Sequence, residues 1–141
     1  MIFTNSDGGS RGNPGPGAIG IIIREEGEIL LKYSQFIGNY VTNNMAEYEA
    51  LIKALELASR FTTKQVTFVL DSELVVKQLL GEYRVKNKRL LPLFLKVQKL
   101  QEKFEKIKYV HAPRDDNFQK IADELVNDEL TKRGFPKYQR K

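Results

Sequence analysis

Residues 6–20 read SDGGSRGNPGPGAIG. One carboxylate, Asp7, is followed by a stretch made mostly of Gly and Pro, and then by the apolar run AIGIII at 18–23. Gly and Pro at that density interrupt regular structure, so the stretch divides two extended segments and leaves an acid at the break. A nearly bare backbone beside a carboxylate either turns the chain or lets something large come close to Asp7. Upstream, MIFTNS reads as a first strand bounded by this loop, which puts Asp7 at the strand's end or just beyond it. Downstream, AIGIIIRE and EILLKYSQFIG read as a hairpin turning near Glu26-Gly27, rich in β-branched residues.

Beyond the hairpin the period changes. In TNNMAEYEALIKALELASR the residues Met45, Tyr48, Leu51, Leu55 and Ala58 recur at three- and four-residue steps, the pattern of an amphipathic helix. Thr42, Asn43 and Asn44 precede it as capping candidates. QVTFVL reads as a short strand, DSELVVKQLLG as a helix stopped by Gly81, and RLLPLFLKVQKLQEKFEK as a helix with Pro92 in its first turn. IKYVHAP reads as a last strand and NFQKIADELVNDEL as a last helix. Three strands, then helix, strand, two helices, strand and helix, make an α/β domain with a mixed five-stranded sheet and helices on its faces. It spans residues 1–131, with a loose basic tail at 132–141.

The 141 residues suffice for one core, and no repeat or linker divides them. Absence of Cys rules out disulfides and thiolate metal sites and suits a reducing, cytoplasmic compartment. The N-terminal residues lack the basic and apolar regions of a signal peptide, and AIGIII is far too short to span a bilayer. The net charge of +5 is uneven: residues 1–70 carry six Lys/Arg against seven Asp/Glu, and residues 71–141 carry seventeen against eleven. Arg84 to Lys99 holds six basic residues and no acid. Such a cluster is either a solvated helix face or the footprint of a polyanion.

Four acids fall at telling places: Asp7 after the first strand, Glu47 in the first turn of the first helix, Asp71 after VTFVL, and Asp123 early in the last helix. In open α/β sheets the functional crevice lies beyond the carboxyl ends of the strands. Asp7 and Asp71 reach that crevice if their strands are parallel neighbours, and the helices can deliver Glu47 and Asp123. Four carboxylates together repel one another unless cations are present. Hard divalent ions prefer oxygen ligands, and a pair of them about 3.5–4 Å apart can straddle one scissile phosphate. Singly, each acid reads more simply as a solvated side chain, as do Glu49, Glu56 and Glu73.

The segments DGGSRGNPGPGAIG, TNNMAEYEAL, LDSELVV and IADELVN, in this order and rough spacing, resemble the type 1 ribonuclease H family. The resemblance runs to about residue 130. It implies a sheet of order 3-2-1-4-5 with the second strand antiparallel, and metal-dependent hydrolysis of the RNA strand of RNA–DNA hybrids. Asp7, Glu47, Asp71 and Asp123 match the family's metal-binding carboxylates, Asp7 shared between two Mg²⁺ ions, with Mn²⁺ as a substitute. Gly8 and Gly9, with Gly12 and Gly15, would let the shallow minor groove of the hybrid approach the backbone. Asn13, Asn43 and Asn44 would touch the substrate, and Thr42 a phosphate of the DNA strand; helix caps and a turn residue are their plainer alternatives.

Two departures stand out. The only His, His111, precedes Asp123 by twelve residues within IKYVHAPRDDN, a strand setting in which a structural place is the plainer reading. His111 and Arg114 are both carried as product-release candidates. The basic protrusion of many members, and a separate hybrid-binding domain, have no evident counterpart in these residues. GEYRVKNKRLLPL stands in that connection, with Lys86, Asn87, Lys88 and Arg89 as phosphate contacts. The partner is then an RNA–DNA hybrid bound in a salt-sensitive way by a monomer, with no membrane and no protein partner required. A D-x-E pair, expected of proofreading exonucleases, is absent because Gly9 follows Asp7 at that spacing. A catalytically silent hybrid-binding module of the same fold is the remaining alternative.

Overall fold

The apolar second strand lies inside the sheet, and the rest of the molecule is built on either side of it. The computed structural model describes residues 1–136. Strands β1 (Ile2–Ser10), β2 (Gly15–Glu25) and β3 (Glu28–Val41) form an antiparallel meander, followed by helix α1 (Asn43–Ala58) and strand β4 (Gln65–Leu70). Helices α2 (Glu73–Leu79) and α3 (Leu91–Leu100), strand β5 (Lys106–His111) and helix α4 (Asn117–Lys132) complete the described chain. The sheet order is β3-β2-β1-β4-β5, with β1, β4 and β5 parallel and β2 antiparallel to its neighbours. This is the order expected from the resemblance.

Residues 18–23 are buried on both faces of β2. Ile19, Ile21 and Ile23 join the large core with Tyr48, Leu51, Leu55, Val66 and Phe68, while Ala18 joins a smaller one with Val126 and Leu130. A strand covered on both sides reads as a continuous apolar run, which is why AIGIII shows no alternation in sequence. α1 packs on one face with α2 and α3; α4 covers the other across β1, β2 and β3. The expected apolar stripe of α1 is buried at Tyr48, Leu51, Leu55 and Ala58, but Ala50, Ile52, Ala54 and Leu57 are buried too. α1 therefore lies between the sheet and α3 and is wetted on little of its surface.

Three boundaries differ from the sequence reading. β1 does not stop at Ser6: Gly8, Gly9 and Ser10 continue it, paired with Ile19, Ala18 and Gly17 of β2. Glycine-rich sequence reads as loop, yet here the partner strand supplies the ladder that the residues' own propensity does not. α3 begins at Leu91, with Pro92 in its first turn, and ends in a 3-10 turn at Gln101–Lys103, shorter than the expected helix. Of the tail placed at 132–141, residues 137–141 lie outside the described residues. Within the described part, Gly134 (φ +95°) closes α4 by donating to Thr131 O, and the Phe135 N–H donates to Leu130 O. That pairing reverses the chain and stacks Phe135 on Phe36, ring centroids 6.2 Å apart, so the chain is packed there and not loose. Among the described residues no helix is long and apolar enough to cross a membrane.

Candidate active site

Pairing of β1 with β4 ends at Ser6 and Leu70, while β1 continues beside β2. Asp7 is thus the first residue of β1 past its parallel partner, and Asp71 the first residue after β4. The two acids meet at the carboxyl edge of adjacent parallel strands, the crevice position of open α/β sheets. Two glycines let the helices reach this point. A Cβ on Gly8 would collide with the backbone of Ala46 and Glu47, so α1 lies directly on β1 and brings Glu47 over Asp7. Gly20, the cross-strand partner of Asp7, would meet Ala122 O and Leu125 Cβ, so α4 lies directly on β2. α1 fills the space where a Gly8 side chain would lie, while Gly8 itself still lines the cleft beside Asp7. Gly9, where the nearest atom to an added Cβ is Val126 Cγ1 at 3.6 Å, keeps room.

Asp7, Glu47 and Asp71 each offer a carboxylate oxygen, and the three lie within 4.8 Å of one another. Asp7 and Glu47 are 6% and 7% exposed, whereas Asp71 faces solvent. Asp123 is outside this triad but lines the same cleft from α4, together with Asn43, Asn44 and Arg11. Burial first, and then the charge of Glu47, push the Asp7 carboxyl far above its ordinary range. Burial also raises Glu47, against the hydrogen bonds that favour its anion. One of these is the Gly8 N–H, which donates to Glu47 Oε1 at 2.8 Å. Two carboxylates buried together without a cation share protons; a hard divalent ion matches this all-oxygen donor set. The triad therefore fits such an ion.

The candidate substrate residues divide by location. Asn13 Oδ1 accepts from the Asn43 N–H at 2.9 Å, and Asn43 Oδ1 from the Ser10 N–H at 3.1 Å, so the β1–β2 loop and the start of α1 brace each other beside the acids. Asn44 borders the same cleft. Thr42 caps α1, its Oγ1 accepting from the Met45 N–H at 3.1 Å. It also lines a separate open cleft with Asn87, Lys88 and Arg89. Asn87 Oδ1 accepts from the N–H groups of Arg89 and Leu90, and among the described residues its amide nitrogen has no partner. Lys86 faces a different depression, beside Leu74, Tyr83 and Arg84, so the structure does not bring it together with the other three. His111 ends β5 opposite Leu70, with its Nε2 3.1 Å from the Asp71 carbonyl oxygen. Arg114 is exposed in a cleft shared with His111, Asp71 and Asp123.

Residues unmarked in the sequence also shape the site. Gln119 is 6% exposed; its Nε2 donates to the Ser6 carbonyl at 2.7 Å and its Oε1 accepts from Asn5 Nδ2 at 3.1 Å. It lies one helical turn before Asp123, and Asn127 one turn after, a spacing that was readable once Asp123 was suspected. Ser72 caps α2 by accepting from the Val75 N–H at 3.2 Å, which starts that helix directly behind Asp71.

The chain matches the reverse transcriptase-like family over residues 5–129. It is similar to a bifunctional protein of Mycobacterium tuberculosis, 38% identical over 131 residues that cover 92% of this chain and 35% of that protein. It is also similar to the ribonuclease HI of Halobacterium salinarum, 39% identical over 125 residues that cover 88% of this chain and 61% of that one. The chain thus spans about a third to three fifths of the length of these curated relatives. Among solved structures, the metagenomic LC11-RNase H1 in complex with RNA/DNA hybrid superposes with a TM-score of 0.86 at 40% identity, covering 94% of this chain and 99% of that one. The H. salinarum RNase H1 structure gives 0.85 at 35% identity, covering 93% and 98%. Sheet order, acid placement and these similarities agree: the chain belongs to the reverse transcriptase-like family and, within it, to the type 1 ribonucleases H.

Proposed function

We propose that this protein hydrolyses the RNA strand of RNA–DNA hybrids internally, leaving 5′-phosphate and 3′-hydroxyl ends. The observation that carries the reading is the triad of Asp7, Glu47 and Asp71 within 4.8 Å at the carboxyl edge of β1 and β4. Asp7, Glu47, Asp71 and Asp123 are the residues that would hold divalent cations, Mg²⁺ in the cell with Mn²⁺ as substitute. Bound there, such ions supply an activated water and neutralise charge on the departing 3′-oxygen. The protein's own part is positional. The Gly8 N–H holds Glu47 by one oxygen, and burial keeps bulk water from Asp7. Asp71 and Asp123 form the open walls through which a phosphate enters.

Substrate binding follows from the same placement. Asn13, Asn43 and Asn44 stand beside the acids and suit the ribose and base edges of a wide minor groove. Thr42, at the N-terminus of a sixteen-residue helix, and Lys88 and Arg89 suit a phosphate of the opposite strand. The hybrid in the LC11-RNase H1 structure supports this substrate class. The protein acts in this reading as a cytoplasmic monomer.

The test uses an end-labelled RNA–DNA hybrid with double-stranded DNA and RNA as controls. Wild type and Asp7→Asn are compared with and without Mg²⁺ or Mn²⁺. Metal-dependent internal cuts in the hybrid's RNA strand, lost in Asp7→Asn, are expected. Salt-sensitive binding without cleavage in either metal would instead assign a silent hybrid-binding module.

A further inference from the structure

Arg11 belongs to the Gly/Pro stretch, yet its side chain points toward the end of the chain. Its Nε donates to the Phe135 carbonyl at 3.0 Å and its Nη2 to Asn127 Oδ1 at 2.9 Å. A guanidinium can only donate, so Asn127 must turn its oxygen toward Arg11. The Asn127 amide nitrogen is thereby aimed the other way, where it donates to Asp123 Oδ2 at 3.3 Å. Arg11 is half-buried, and its nearby carboxylate is Asp123.

The carbonyl that anchors Arg11 is itself placed by a defined turn. α4 ends with Gly134 in the left-handed region, where the Gly134 N–H donates to Thr131 O and the Phe135 N–H to Leu130 O. This is the helix-terminating arrangement that satisfies the last carbonyls and folds an apolar residue back on the helix. Phe135 then seats on the small core of Ala18, Val126 and Leu130. Four residues before Asp123, Gln119 is fastened to β1 through Ser6 and Asn5. Four residues after it, Asn127 is fastened to Arg11.

We propose that Arg11 is a positioning residue for the fourth carboxylate. Acting through Asn127, it fixes the orientation of Asp123 and links that orientation to the turn that closes α4. The inference rests on the catalytic reading of Asp123. Groups that orient carboxylates at metal-binding sites typically contribute 10- to 100-fold to affinity or activity, about the effect expected here.

The experiment compares Arg11→Met, Asn127→Ala, their double variant, Arg11→Lys and Asp123→Asn. Turnover of a labelled hybrid is read alongside the side-chain amide NMR spectrum of the metal-free proteins. Arg11→Met and Asn127→Ala should each lower kcat about tenfold or more with KM little changed. The double variant should be no worse than the poorer single one, because both act on one carboxylate. Arg11→Lys, keeping a positively charged donor without the planar fork, should recover part of the loss. In metal-free protein, the Asn127 side-chain amide signals should shift in Arg11→Met and in Asp123→Asn. Losses that multiply in the double variant, or Asn127 signals indifferent to both substitutions, overturn the proposal. Asp123→Asn inactive with Arg11→Met at wild-type kcat overturns it alone, whereas a fully active Asp123→Asn overturns the catalytic reading as well.

Discussion

Asp7 and Glu47 are two carboxyl groups that a folded chain would not ordinarily bury side by side. Each is less than a tenth exposed, and burial raises both above their ordinary range. The metal-free protein therefore carries an electrostatic cost that grows with pH. An acid whose folded pKa exceeds its unfolded value binds more protons when folded, so its contribution is complete below the unfolded pKa and fades as pH rises toward the folded one. For Asp7 that fading starts near its ordinary 3.8 and continues through neutrality. Asp7→Asn removes the charge and keeps the shape. In a chelator at pH 7 the variant should melt above wild type, by roughly 5 °C for about one pKa unit of relieved repulsion. The advantage should shrink toward pH 4 and upon adding Mg²⁺ to wild type, while hybrid cleavage is abolished. Melting curves across pH in chelator and in Mg²⁺ read both effects; a variant less stable than wild type at pH 7 in chelator would mean the acids are not in conflict.

Elements bring those residues together, and two glycines set how closely. α1 rests on Gly8 and α4 on Gly20, and an added Cβ at Gly20 would lie 2.8 Å from Leu125 Cβ and closer still to Ala122 O. Gly20→Ala should push α4 outward at a cost of about 1–3 kcal/mol, with kcat falling further than thermal stability as Asp123 leaves the cleft. Gly27→Ala is the matched control, since nothing lies within 4 Å of its added methyl, and it should leave both unchanged. Urea titration and turnover for the pair decide the matter. The same positions show what could be read from sequence. Strand and helix periods and the acids were legible because each is written in local pattern, whereas the parallel pairing of β1 with β4 came only from the family resemblance. The reach of β1 through Ser10 was not legible, because it depends on a partner strand. Nor was the role of Gly8, because a missing side chain does not say whether protein or ligand fills its space. Arg11, in sequence one more residue of a turn, gains its meaning only when residues 116 and 124 positions away fold onto it.

Across the whole molecule, charge is divided. The acids gather at one end of the central strands, and the strongly basic connection between α2 and α3 lies in a different cleft, shared with the start of α1. A duplex that presents one strand to the acids can present its other strand to Thr42, Lys88 and Arg89. Without a protrusion to enlarge the contact, few phosphates would be neutralised, and binding should be weak, its salt dependence set by those few contacts. Lys86 opens into a separate depression with Tyr83 and Arg84, which predicts unequal shares. Each lost phosphate contact lowers the slope of log affinity against log salt by about 0.7–0.9. Replacing Lys88 and Arg89 by Gln should therefore reduce that slope by about 1.5, and Lys86→Gln by much less. The measurement is hybrid affinity across a KCl series in the Asp7→Asn background, which prevents cleavage. Equal effects from all three would make the connection a diffuse basic surface. A selective effect of Lys88 and Arg89 would tie the second strand to the cleft at the head of α1, with the distance between the two clefts setting how the duplex lies across the sheet edge.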